Sequence, residues 1–214
     1  MKIDLIVPNS LGEVTLGQYK KYIKLEEMSE MELSLKIVEI FCNLTKEQVR
    51  LLKFTDVKNV VSIIVKMFDS KPSLVHSFKM DEVEYGFIPN LDEMSFGEYI
   101  DLDTNIGDWD NMEKAMGVLY RPILARSGNR YHIKEYLAEN TDGYNQMPLD
   151  AVFSSILFFY HLGNELCKVT LNSLEEQEVQ NLQEYHNSIP NGDGFQASMD
   201  YLKKTLGDLK ISLN

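Results

Sequence analysis

The segment Ile88-Pro89-Asn90-Leu91-Asp92-Glu93-Met94-Ser95-Phe96-Gly97-Glu98-Tyr99 repeats one near the start of the chain, Val7-Pro8-Asn9-Ser10-Leu11-Gly12-Glu13-Val14-Thr15-Leu16-Gly17-Gln18-Tyr19. With Ser10 skipped, Pro, Asn, Leu, Glu, Thr/Ser, Gly, Gln/Glu and Tyr fall in register. A duplicated building block constrains the fold before any other signal, because the same residues must make the same local structure twice. The chemistry of the repeat says what that structure is. Proline ends an extended stretch. Thr15 and Ser95, each followed three residues later by Gln18 or Glu98, form capping boxes that open helices. Gly17 and Gly97 lower helix propensity in the first turn and suit close approach of another backbone. Tyr19 and Tyr99 are expected to cover the corner by packing.

The rest of the first half follows from periodicity and caps. Residues 1–7 are predicted to form a strand with Ile3, Leu5 and Val7 on one face. A helix then runs from the Thr15 cap to about Leu25. Ser29, with Glu32, opens a second helix to roughly Cys42, and Thr45, with Gln48, a third and short one carrying Val49, Leu51 and Leu52. Asp56 is expected to start a fourth, with Val57, Val60, Val61, Ile64, Val65 and Phe68 at helical spacing. Lys71-Pro72-Ser73 closes the half.

In the second half, residues 74–80 and 83–88 are predicted to form a β-hairpin across Asp81-Glu82. After the repeat, a helix is expected from about Asp108 through Trp109, Met112, Ala115, Met116, Leu119 and Tyr120, ended by Pro122. It occupies the place of residues 30–42, and Ile40-Phe41-Cys42-Asn43-Leu44 lines up with Leu119-Tyr120-Arg121-Pro122-Ile123. Residues 124–147 read as a polar surface excursion with a turn at Ser127-Gly128-Asn129, another at Thr141-Asp142-Gly143, and a short strand at Tyr131-His132-Ile133. Pro148 sits in the first turn of a long helix to about Val169 or Asn172. Between Ala151 and Leu162 that helix is apolar on nearly every side, as a central buried helix would be. An acidic helix over 174–186, a hinge at 188–194 and an amphipathic helix over 196–210 follow.

The expected architecture is therefore α+β and predominantly α-helical. Two related strand–corner–helix halves, 1–73 and 74–172, share a core, and a helical C-terminal tail covers 173–214.

Composition narrows the function classes. The 214 residues carry a net charge of −12. That disfavours a nucleic-acid partner, whose phosphates need Lys and Arg, and an anionic membrane surface. Met1 to Pro8 is not read as a signal peptide, and the run from Ala151 to Leu162 is shorter than a membrane span. Cys42 and Cys167 are expected to be buried and reduced. The acidic stretch from Asp101 to Glu113 resembles a calcium loop, but its glycine and final glutamate fall one position late, so it reads as an interhelical loop whose aspartates cap the helix near Trp109. His76, His132, His161 and His186 lack metal-ligand spacing, and His161 reads as a core histidine. The basic run Arg121, Arg126, Arg130 and Lys134 reads first as a solvated loop and second as a docking site for an acidic partner. The methionines, among them Met112, Met116, Met147 and Met199, read as core filling before they read as an adaptable binding face. No catalytic motif of the G-x-S-x-G, P-loop or G-x-G-x-x-G kind is present, so no enzyme, catalytic residue, metal or cofactor is expected.

The order FIPNLDEMSFGEYIDLD, WDNMEKAMGVLYRPI and MPLDAVFSSILFFYHLGNEL, over about residues 85–170, resembles tail assembly chaperones of tailed bacteriophages and related proteins of the virion modules. The resemblance implies a non-enzymatic assembly protein in the host-cell cytoplasm that binds a helical or hydrophobic protein partner. The same traits fit a structural component of a neck, tail or baseplate, or an acidic inhibitor of a basic protein. The resemblance assigns no residue a role.

Overall fold

A computed structural model describes residues 5–128, 130–138 and 143–173. Four capping boxes set the helix starts. Thr15, Ser29, Thr45 and Ser95 each accept from the amide three residues on, and that residue's side chain accepts from the cap amide. They open α1 (Leu16–Ile23), α2 (Glu30–Phe41), α3 (Lys46–Val49) and α5 (Phe96–Asn105). Between them lies α4 (Phe54–Phe68). It starts two residues before the expected Asp56, which instead occupies the first turn and favours the positive helix end there.

The sheet has four antiparallel strands in sequence order: β1 (Ser77–Met80), β2 (Val83–Phe87), β3 (Tyr120–Ser127) and β4 (Arg130–Ile133). The expected hairpin across Asp81-Glu82 is present, with Met80 paired to Val83, but begins at Ser77 rather than at Leu74. Both turn residues hold positive φ, 48° and 62°, which gives the two-residue turn a twist matching its strands.

Three expectations are corrected here. Residues 5–7 are not a strand; Leu5 and Val7 lean half-buried on the core without pairing, and residues 1–4 lie outside the described part. The helix before Pro122, α6 (Met112–Leu119), starts later than expected and stops before Tyr120, which is already extended and opens β3. Arg121 precedes a proline, a position that disfavours helix, and Pro122 instead faces Tyr85 across the sheet. The span 124–147 is therefore no surface excursion. It holds the second half of β3, all of β4, and a 3-10 turn at Tyr144–Gln146 beside buried Tyr144 and Met147. The tail beyond Ser173, with its two expected helices and hinge, lies outside the described residues.

The long helix α7 (Leu149–Ser173) organises the interior. Residues 151–157 are all buried, as the unbroken apolar run requires. On one side Phe153 meets Tyr19 edge-on at 5.1 Å and also contacts Trp109. On the other, Phe158 meets Phe87 of β2 at 5.5 Å. The Tyr120 hydroxyl donates to the carbonyls of Val75 and Ala151, and Tyr144 donates to the Tyr120 carbonyl. One apolar cluster runs continuously from Leu11 to Tyr160.

Candidate functional site

The two copies of the repeat make the same corner. In each, a 3-10 turn (Leu11–Glu13, Leu91–Glu93) leads to an extended residue whose amide donates back to Leu11 or Leu91. In each, an Asn and a Glu of the turn are hydrogen-bonded to one another, Asn9 to Glu13 and Asn90 to Glu93. In each, the third helical residue is buried and bonds to a distant element, the end of α2 at the first corner and the start of β3 at the second. Gln18 donates to the Ile40 carbonyl at 2.9 Å and to Asn43. Glu98 pairs with Arg121 at 2.9 Å. The anchors do not match position for position, because the repeat alignment sets Ile40 beside Leu119 and Arg121 beside Cys42.

The corners differ in what covers them. At the first, Leu16 is 0% and Tyr19 1% exposed. Residues 144–149 lie across it. The Leu16 amide donates to the Met147 carbonyl at 2.9 Å, and the Leu149 amide donates to the Val14 carbonyl at 2.8 Å. A Cβ on Gly17 would stand 3.0 Å from the Asn145 carbonyl oxygen, so the glycine admits that backbone. At the second corner Phe96 is 78% exposed, Tyr99 51% and Ile100 45%. The expectation that Tyr99 covers its corner is therefore corrected: among the described residues no equivalent of residues 144–149 lies over it. Among the described residues, nothing accepts from the Phe96 amide or donates to the Met94 carbonyl. Nor does any described residue stand within 4 Å of a Cβ built on Gly97.

The open corner borders a cleft. A cavity of about 400 Å³ is lined by Ser95, Glu98, Arg121 and the 132–136 segment. It adjoins a groove of about 1310 Å³ between residues 87–93 and β4. The cleft itself carries both signs of charge, with Asp92, Glu93 and Glu135 exposed alongside Arg126, Arg130 and Lys134. The apolar face of α5 is flanked by exposed Asp92 and Glu93 and half-buried Asp103. Burial and the neighbouring carboxylate of Asp101 push the Tyr136 hydroxyl well above its usual range, so it donates to Asp101 throughout the physiological range.

The remaining candidates fall elsewhere. Asp101 to Asn105 belong to α5 and not to a loop, and α6 starts at Met112 with Asn111 before it, not near Trp109. Asp108 accepts from the Asp110 amide, Asp110 pairs with Lys24, and Glu113 with Lys20 at 2.6 Å. The Lys24 ammonium holds the Asp110 carboxyl below its usual range. Among the described residues no group of three His, Cys, Asp or Glu is placed to hold a metal. His161 is exposed, not a core residue, because it sits where α7 leaves the core; His76 and His132 line the groove, and His186 lies outside the described residues. The basic run is not a solvated loop. Arg121 is buried with Glu98, and Arg126 holds Glu84 at 2.6 Å and lies over the Tyr131 ring. Cys42, Met112, Met116 and Met147 are buried, whereas Met199 is outside the described part. No helix among the described residues is long and apolar enough to cross a membrane.

Compared with protein families, with curated proteins and with solved structures, the chain matches none.

Proposed function

We propose that this chain is a non-enzymatic bacteriophage assembly protein of the tail-assembly-chaperone kind, acting in the host cytoplasm by binding a helical or hydrophobic protein partner. The uncovered apolar face of Phe96, Tyr99 and Ile100 carries the reading. An apolar helix face that its own twin buries is a surface for another protein. The net charge of −12 keeps such a chain soluble while it holds that partner.

The test follows the chain through particle assembly in the producing cell. It is expected to co-purify with a long helical protein and to be missing from finished particles. Stoichiometric presence in purified particles would overturn the chaperone reading in favour of a structural subunit of the virion.

A further inference from the structure

We infer that the second corner receives an extended, apolar segment of a partner protein, flanked by Lys or Arg, in the way that residues 144–149 cover the first corner. The inference rests on the reading that the chain binds a protein partner, and it names the form and chemistry of the part bound.

Three observations carry it. The first is the pair of backbone groups. Thr15 and Pro148 form an isolated antiparallel bridge, whose two hydrogen bonds use the Leu16 amide and the Val14 carbonyl. The corresponding Phe96 amide and Met94 carbonyl flank Ser95 and have no partner among the described residues. An extended segment satisfies both at once, whereas a docked helix has its own backbone groups already bonded. The second is glycine. At Gly17 the missing side chain admits a carbonyl oxygen at 3.0 Å from where a Cβ would stand. Gly97 costs helix stability in the same way, yet nothing among the described residues comes near. The space it keeps is that of an approaching backbone. The third is charge. Phe96, Tyr99 and Ile100 lie among Asp92, Glu93 and Asp103, and α5 carries no Lys or Arg. A segment whose apolar side chains seat on Phe96 while its flanks carry positive charge complements this face.

The probe is a synthetic peptide carrying the Tyr-Asn-Gln-Met-Pro-Leu sequence of residues 144–149 between lysine pairs. It is titrated into the full chain while backbone amide resonances are followed. Saturable shifts are expected at 94–100. Phe96→Ser, a change at an exposed position, is expected to weaken binding at least tenfold without altering the fold. So is a peptide whose leucine amide is N-methylated, since it loses the donor to Met94. A scrambled peptide of equal charge that binds as well, or unchanged binding to the Phe96→Ser chain, overturns the inference.

A hydrocarbon-stapled amphipathic helix of equal charge forms the other arm. If it shifts 94–100 and the extended peptide does not, the extended segment is wrong while partner binding stands. If neither binds, both readings fail. Hydrogen exchange of the free chain excludes the remaining occupants. The Phe96 amide is expected to exchange rapidly at every concentration. Slow exchange at high dilution would seat residues 174–214 of the same chain there, and protection that grows with concentration would seat a second copy; either result overturns the inference.

Discussion

Single residues carry the difference between the two corners, and the sharpest is the exchange of Gln18 for Glu98. Both cap the same helix turn, but only Glu98 brings a charge inside, and Arg121 answers it. Side chains so shielded make the pair expensive to break, because the survivor is left charged and buried. Glu98→Gln keeps the capping acceptor, as Gln18 shows, and is expected to lower stability by about 3 kcal/mol through the stranded Arg121. The double variant Glu98→Gln/Arg121→Met is expected to recover most of that loss in a denaturant-unfolding cycle. Cys42 offers a second test at this scale. Burial pushes its thiol up to about 11. With iodoacetamide at pH 8, in a Cys167→Ser background, it is expected to react roughly a hundredfold more slowly than an open thiol of pKa about 8.5. A folded-state pKa raised this way stabilises the fold below the unfolded value of about 8.5, and that contribution is lost as pH rises through about 11. A Cys42→Ala chain should therefore lose less stability than the parent across that window.

At the scale of elements, helix starts were the most legible part of the chain. A capping box is local: a hydroxyl and a carboxylate or carboxamide three residues apart suffice, so Thr15, Ser29, Thr45 and Ser95 were readable without tertiary knowledge. The start of α4 was misplaced because Lys53 caps without a side-chain bond and left no such mark. The strand β3 is hidden because Tyr120 prolongs the apolar run of α6 and Pro122 reads as a helix end, and only the pairing with β2 shows where helix becomes strand. The exposure of Phe96 was equally hidden, since covering is a property of residues 144–149, far off in sequence. The two corners therefore predict opposite mutational outcomes. Leu16→Ala is expected to cost about 2–5 kcal/mol, as a fully buried leucine does, and Phe96→Ala no more than about 0.5 kcal/mol. Gly97→Ala has no neighbour to strike and gains helix propensity, so thermal unfolding should show stabilisation of up to about 1 kcal/mol. Gly17→Ala should destabilise in the same assay, because the carbonyl of Asn145 stands in the way.

For the whole molecule, the α+β class followed from the capped helices and the hairpin, and the central position of α7 from one long apolar run. How residues 1–73 and 74–173 meet did not, because the joining residues come from both stretches. Leu16 and Tyr19 of the first half are sealed by Met147, Leu149 and Phe153 of the second. Residues 1–73 expressed alone are expected to show no cooperative thermal transition, because α1 then loses its lid and the Trp109 and Phe153 rings that pack on Tyr19. Recovery of a sharp transition on adding separately expressed residues 74–214 would show that the halves complete one another.

A duplicated corner of which one copy is buried and the other bare divides the labour of the sequence. Position 16 is tied to the survival of the fold, whereas position 96 is released from it. Substitution can therefore sample new chemistries at 96, 99 and 100 without the toll in misfolded chain that the same changes would exact at 16 and 19. A saturation library selected only for soluble expression should accept nearly any residue at the bare copy and very few at the buried one. The surface of such a chain can change while the scaffold stands still.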